Sequence, residues 1–389
     1  MAQGKTVLIL GGGIGGIVAA SRLRRALSRE HRIVLVEQAS THLFQPSLLW
    51  LMLGLRAPRQ ISRPYTALSH RGIEWVQGRV ERIDPARRAV TVDGKELSAD
   101  YLVIALGAEL APEAVPGLAQ AGHNLYSLAG AEAIRDARLT LTHGRIVVLV
   151  SAMPFKCPAA PYEAAMLLEW DTRRRGLRDR IQIDLYSPEP GPMPVAGAEA
   201  SAQVRAMVEQ KGTGYHPREK VASVDPEARR IYFESGASAD FDLLVYVPPH
   251  RAPEAVRAAG LCGDSGWAAV DRATLATPFS GVYAIGDVTG IPLAIGKPLP
   301  KAGVLAHGQA EVVAHNLAAD ITGKGYDEAV SGRGRMLHRS RRGPGRIRQR
   351  QLLRRARAAD ETETSRTPAA LGQGGLRKIL ALQMVLGKT

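Results

Sequence analysis

Val7-Leu-Ile-Leu10, Gly11-Gly-Gly-Ile-Gly-Gly16 and Ile33-Val-Leu-Val36-Glu37 decide the architecture of this chain. VLIL is a short, wholly apolar run, the kind that forms a strand buried on both faces of a parallel sheet. The glycine run follows at once, and an Ala/Leu/Arg stretch at helical spacing continues to about Arg29. IVLV is a second buried strand, and an acid closes it. Strand, glycine turn, helix, strand and acid in this order match the fingerprint of a bound dinucleotide. Gly11 permits the tight turn, Gly13 lets backbone approach a pyrophosphate, and Gly16 lets helix pack on strand. Free N–H groups at the helix start face the phosphates, and Glu37 is placed to accept from ribose hydroxyls.

Outward from this unit the alternation continues. Tyr101–Gly107 (YLVIALG) reads as a buried strand ending in a glycine turn, and Gly281–Asp287 (GVYAIGD) as a strand ending in Gly-Asp. A carboxylate at that second strand end suits a flavin ribitol chain. Arg145–Val150 (RIVVLV) and Ile181–Tyr186 read as two more parallel strands. The segment after Val150 is Ser-Ala-Met-Pro-Phe-Lys-Cys157-Pro158, without a glycine. Backbone there is not free to approach a second pyrophosphate, so tight NAD(P)H binding is not expected. Cys157 stands instead beside Lys156, just before a proline-opened apolar helix. A thiol at a helix start next to a cation is expected to have a lowered pKa and thiolate character. The competing reading of Cys157 is a small buried hydrophobe. Cys262 has no such context, and His250 and His307 lack metal-ligand spacing, so no metal is expected.

These motifs in combination resemble the pyridine nucleotide-disulfide oxidoreductase superfamily over roughly Lys5 to Lys324. The resemblance implies an α/β fold of two Rossmann-like dinucleotide-binding domains, each in three layers. The FAD domain is then discontinuous over 1–112 and 256–325, with a second domain at 113–255. The segments Pro154–Ala164, Val247–Pro253 and Leu299–His307 narrow the likeness to the sulfide:quinone oxidoreductase and flavocytochrome c sulfide dehydrogenase branch. That likeness implies FAD as cofactor, with sulfide or a small thiol as donor and a quinone or cytochrome as acceptor. It implies a redox role for Cys157, paired with a cysteine late in the chain: sulfide opens the disulfide and two electrons pass on by way of the flavin. Lys301 and Gly303 match the segment against the isoalloxazine ring, Pro46 a loop near it, Val80 a contact to adenine and Gly107 the second glycine turn. An NAD(P)H-dependent quinone or ferredoxin-type reductase and an inactive flavin-binding chain remain the alternatives.

The 389 residues carry a net charge of +14. Eleven of those charges are arginines within residues 331–358 and one is the balance of residues 359–389, which leaves the first 330 residues at +2. The composition excludes collagen-like, coiled-coil and wholly disordered classes, and two cysteines exclude a disulfide-built scaffold. A basic tail at 326–389 without interleaved aromatic residues or a folded motif gives no expectation of nucleic-acid binding. Lacking apolar periodicity, residues 331–366 are expected to be disordered. Arg, Gly, Pro and Ala together suggest GC-rich DNA read out of frame. Met336–Glu363 and Leu371–Leu386 admit codons whose neighbouring frame resembles the branch's C-terminal segment, with its late cysteine and aromatic last helix. A single-base shift near residues 327–335 is therefore inferred. No apolar run reaches the roughly 18 residues a membrane span needs, and the start shows no leader, so a cytoplasmic placement is expected. Peripheral contact with the inner face of a membrane is implied by the resemblance alone.

Overall fold

The computed structural model describes residues 4–323; the basic tail and the expectations attached to it lie outside the described residues. Two five-stranded parallel sheets organise this part. In chain order their strands are β1 (Thr6–Leu10), β2 (Arg32–Glu37), β3 (Glu74–Gln77), β4 (Tyr101–Ile104), β5 (His123–Asn124), β6 (Gly144–Val150), β7 (Ile181–Ser187), β8 (Gly214–Pro217), β9 (Leu243–Val247) and β10 (Val282–Ala284). The first sheet runs β10-β4-β1-β2-β3 and the second β5-β9-β6-β7-β8. In each, two strands lie on one side of the founding strand (β1 or β6) and two on the other. The chain completes the first sheet only after building the second, since β10 pairs with β4.

Alternation sorts the side chains of the first sheet into two cores. Val7, Ile9, Ile33, Leu35 and Val103 face α1 (Ile14–Ala26) and a long helix near the end of the described chain, which contributes Ala310, Val313 and Leu317. Leu8, Leu10, Val34, Val36, Leu102 and Ile104 face the other way, onto Ile83, Val90 and Val92 of a three-stranded antiparallel sheet. Both faces are dry, which is why VLIL carries no polar residue. Cutting a side chain such as Ile9 to alanine costs about 2–5 kcal/mol. The second sheet repeats the layering, with Val147, Leu149, Leu244 and Tyr246 packed on Val224, Ile231 and Phe233 of another antiparallel sheet.

Helix α1 stops at Ala26, short of the expected Arg29. The Arg24 guanidinium folds back onto the carbonyls of Leu27 and His31 at 2.9 and 2.8 Å, satisfying groups a longer helix would have used. The strand expected over Gly281–Asp287 is confined to Val282–Ala284. Gly286 turns the chain with φ of +78°, and Gly286–Val288 form a 3-10 turn. Among the described residues no helix is long and apolar enough to cross a membrane.

Candidate active site

The carboxyl ends of the first sheet's strands converge on one crevice, the position where open α/β sheets take ligands. Gly11, φ +102°, lies so close to the β4 turn that an added Cβ would meet the Ala105 carbonyl oxygen at 2.4 Å. A Cβ on Gly16 would lie 1.9 Å from the Gly11 carbonyl oxygen. Gly13, the N-cap of α1, has no side-chain cap, and a Cβ there would meet nothing within 4 Å. Two glycines thus close the turn and the third leaves its outer face open beside the N–H groups of the helix start. Glu37 accepts from Gly12 N–H at 2.7 Å and Ala39 N–H at 3.0 Å. It braces the turn. Tyr65, buried, donates its hydroxyl to the Gly12 carbonyl at 2.6 Å.

The other strand ends complete the walls. Gly107, φ +70°, follows β4 and is open on its side-chain side. Val80 opens the antiparallel sheet just beyond β3, and Pro46 sits in a 3-10 turn, Gln45–Ser47. Asp287 follows β10, where burial raises its carboxyl above the usual range while Lys156 and Lys301 pull it back. Helix α2 (Gly303–Thr322) begins against α1: a Cβ on Gly303 would meet Ile14 Cδ1 at 2.5 Å. Its Gln309 accepts from Gly286 N–H at 2.5 Å and fixes the β10 turn. Lys301 is 6% exposed. Its Nζ donates to the carbonyls of Asp287 and Thr289 at 2.7 and 3.1 Å and lies 3.3 Å from the centre of the Trp267 ring. Burial lowers its pKa to about 8, with Asp287 opposing.

Cys157 reaches this crevice from the second sheet. The loop after β6 lays Lys156 beside Lys301 as a parallel bridge, and Cys157 N–H donates to the Lys301 carbonyl at 2.6 Å. Cys157 adopts the left-handed backbone region at φ +51°, uncommon for a residue with a side chain and concentrated at functional sites. Tyr126 supports the loop, its hydroxyl donating to the Lys156 carbonyl at 2.7 Å. Lys156 Nζ donates to Gln45 Oε1 at 2.9 Å, tying the loop to the Pro46 turn.

The expected lowering of the Cys157 pKa is overturned: the thiol is pushed up to about 12. Burial of the sulfur is the largest cause, followed by the Glu163 carboxylate one turn into the next helix. A hydrogen bond with the Ala160 backbone and the Lys156 charge oppose this and are outweighed. The sequence shows Lys156 and the helix start, both local. The desolvation is a property of the folded site and not of these neighbours in sequence. Lys156 is itself lowered by burial.

The second sheet treats its own strand ends differently. Cys157 and its loop replace the glycine turn after β6. Glu189, just beyond β7, is 2% exposed and accepts from Tyr162 Oη at 2.5 Å and from Ser187 Oγ at 3.3 Å. Burial pushes it up to about 7, with those hydrogen bonds opposing. Tyr162, itself 1% exposed, is what encloses it.

The structure brings Cys157, Lys301 and Asp287 together in one place and ranges Gly11, Gly13, Gly16, Glu37 and Gly303 along the same crevice. Cys262 packs instead with the core around Val256 and Ala268. Sequence reasoning missed Tyr65, Tyr126 and Trp267, whose isolated positions carry no motif. His250 was weighed only as a metal ligand. Among the described residues no group of His, Cys, Asp and Glu is placed to hold a metal ion.

Fold and site together define an FAD-dependent oxidoreductase of the kind built from two dinucleotide-binding sheets. The family described as pyridine nucleotide-disulphide oxidoreductase matches residues 5–310, and the chain belongs to it, in its sulfide:quinone oxidoreductase-like branch. The mitochondrial sulfide:quinone oxidoreductase of Mus musculus is 29% identical over 303 residues, 74% of this chain and 66% of that protein. The sulfide-quinone reductase of Aquifex aeolicus is 28% identical over 336 residues, 82% of this chain and 77% of the other. The solved structure of the Aquifex aeolicus sulfide:quinone oxidoreductase superposes with a TM-score of 0.74 at 25% identity, covering 82% of this chain and 77% of that one. The chain spans just under two thirds of the length of the mouse relative.

Proposed function

We propose that this protein takes two electrons from sulfide or a related small thiol by way of Cys157 and delivers them, through FAD, to a quinone or cytochrome. The observation that carries the reading is the Cys157 N–H bond to the Lys301 carbonyl. It seats a sulfur from the second sheet on the wall of the first sheet's crevice.

The residues present fit the cofactor. Gly11, Gly13 and Gly16 would receive the pyrophosphate, Glu37 the adenosine ribose, Val80 the adenine and Asp287 the ribitol. Pro46, Gly107, Lys301 and Gly303 would border the ring. Bound FAD supplies the capacity to accept two electrons and release them. The chain's own work is to place the sulfur, exclude water and manage one proton. Cys157 holds that proton at neutral pH, because burial outweighs the Lys156 charge. It acts as a nucleophile only after losing it. A disulfide route also needs a second sulfur. Cys262 is the one other cysteine in the 389 residues, and it packs in a different core. Turnover is therefore impaired relative to a chain with a paired late cysteine.

Anaerobic titration with sulfide tests the reading. The flavin absorbance should bleach, more slowly in Cys157→Ser by about a hundredfold or more. Equal rates in the two proteins exclude the cysteine route, and no bleaching in either excludes the sulfur donor.

A further inference from the structure

His250 follows β9 on a short segment, His250–Arg251, paired antiparallel with Glu109–Leu110. Its Nδ1 lies 2.8 Å from the Pro248 carbonyl oxygen. A carbonyl only accepts, so Nδ1 carries the ring proton and Nε2 presents a lone pair. Nε2 is fully buried and hydrogen-bonds to no protein group. Buried acceptors are ordinarily paired, by protein or by a small bound molecule, so Nε2 is open to a small X–H donor.

The surroundings narrow the ligand. The His250 ring meets the Tyr126 ring edge-on, centres 5.6 Å apart. The hydroxyl of the same tyrosine holds the Lys156 carbonyl and lies 3.3 Å from the Cys157 carbonyl oxygen. Lys156 Nζ stands 5.6 Å from the centre of that ring. One tyrosine is thus clasped by the histidine at its ring and by the cysteine loop at its hydroxyl. Burial, then the charges of Lys156 and Lys301, push the imidazole down to about 3, with the Pro248 bond opposing. It stays a neutral acceptor at working pH, in a field set by two ammonium groups. A cationic donor is repelled there. An anion that still owns a hydrogen satisfies the lysines with its charge and the histidine with its X–H bond.

Hydrosulfide is such an anion, and an organic thiolate, which has lost its only S–H, is not. We propose that His250 is a specificity residue, its Nε2 accepting the S–H of a hydrosulfide ion whose charge Lys156 and Lys301 hold. The site then favours hydrosulfide over organic thiolates. The inference rests on the sulfur-donor reading above and names its substrate. No bond is made or broken in this binding step.

Two measurements on the full-length, FAD-loaded protein test it in anaerobic buffer just above neutral pH, below the pKa of Lys301. His250→Phe should raise the half-saturating hydrosulfide concentration for flavin reduction about tenfold, with the limiting rate changed less than about twofold. The dependence on 2,2,2-trifluoroethanethiol, an acidic thiol that is mostly thiolate at this pH and carries no N–H or O–H, should stay as it was. His250→Gln, which keeps an acceptor, should recover most of the hydrosulfide affinity. Equal shifts for both donors, or none, overturn the proposal even while Cys157-dependent reduction persists. The second measurement does not need turnover. In 15N-histidine-labelled Cys157→Ser protein, the Nε2 resonance assigned by its loss in His250→Phe should move when hydrosulfide is added and hold still with 2,2,2-trifluoroethanethiol. An Nε2 signal already hydrogen-bonded before addition, or unmoved by hydrosulfide, sinks the idea, whereas no flavin reduction by either donor would sink only the sulfur-donor reading.

Discussion

The two parallel sheets share a strand order and differ in what stands at their carboxyl ends. After β1 the chain turns on glycines and leaves the face of Gly13 open. After β6 it places a loop bearing Cys157, and its acid, Glu189, is consumed by Tyr162 instead of waiting for a ribose. Topology creates a crevice in both; a few loop residues decide whether it receives a ligand or is filled from within. The second sheet has become a bracket that carries a sulfur to the first.

The comparison breaks most completely at the glycine turn. Gly16→Ala forces a Cβ onto the Gly11 carbonyl, so it should cost about 3 kcal/mol or more of stability and yield colourless protein. Gly13→Val sharpens the point. Its Cβ enters open space, so the fold should lose only the N-cap preference for glycine over valine, about 1 kcal/mol, while FAD affinity falls about a hundredfold or more. Thermal unfolding and flavin content, measured together, separate the two. The cysteine comes next: Cys157→Ser should slow reduction by sulfide about a hundredfold or more with flavin content unchanged.

Glu189 tests whether the second crevice is closed. Its folded pKa, about 7, lies above its ordinary 4.5. Between those values the native protein binds more protons than the unfolded chain, so stability falls as pH rises through that window, by roughly 3 kcal/mol in all. Urea unfolding of Glu189→Gln should show that fall removed. A slope equal to that of the unmodified protein means the carboxyl is not buried against Tyr162. The smallest expected effect is a null: anaerobic NADH should leave the visible flavin band unbleached. Bleaching would mean that the second sheet still serves a nicotinamide, and would revive the NAD(P)H-dependent reading.

What was legible in the sequence was what is local. Gly11, Gly13, Gly16 and Glu37 lie within 27 residues and announce a turn, a helix start and a strand end without help from elsewhere. Lys301 and Gly303 were visible only through resemblance, since one lysine before a helix has an ordinary surface reading. The Cys157 pKa was misread because two local features favour the thiolate, whereas burial of the sulfur in the folded site outweighs them. Glu189 carries no local sign of its burial either: its enclosure is the work of Tyr162, 27 positions earlier. Long-range desolvation leaves no mark in a window of sequence.

The bond from Cys157 N–H to the Lys301 carbonyl also has a clock in it. Its partners are separated by 144 positions of chain. At synthesis rates of about 5–20 residues per second, the cysteine exists for roughly 7–30 s before the segment that seats it has been made. During that interval its thiol is not shielded by the crevice and is open to whatever oxidant the ribosome's surroundings contain. The same delay applies to β10, so the first sheet, begun by the earliest residues, is among the last parts of the molecule to be finished.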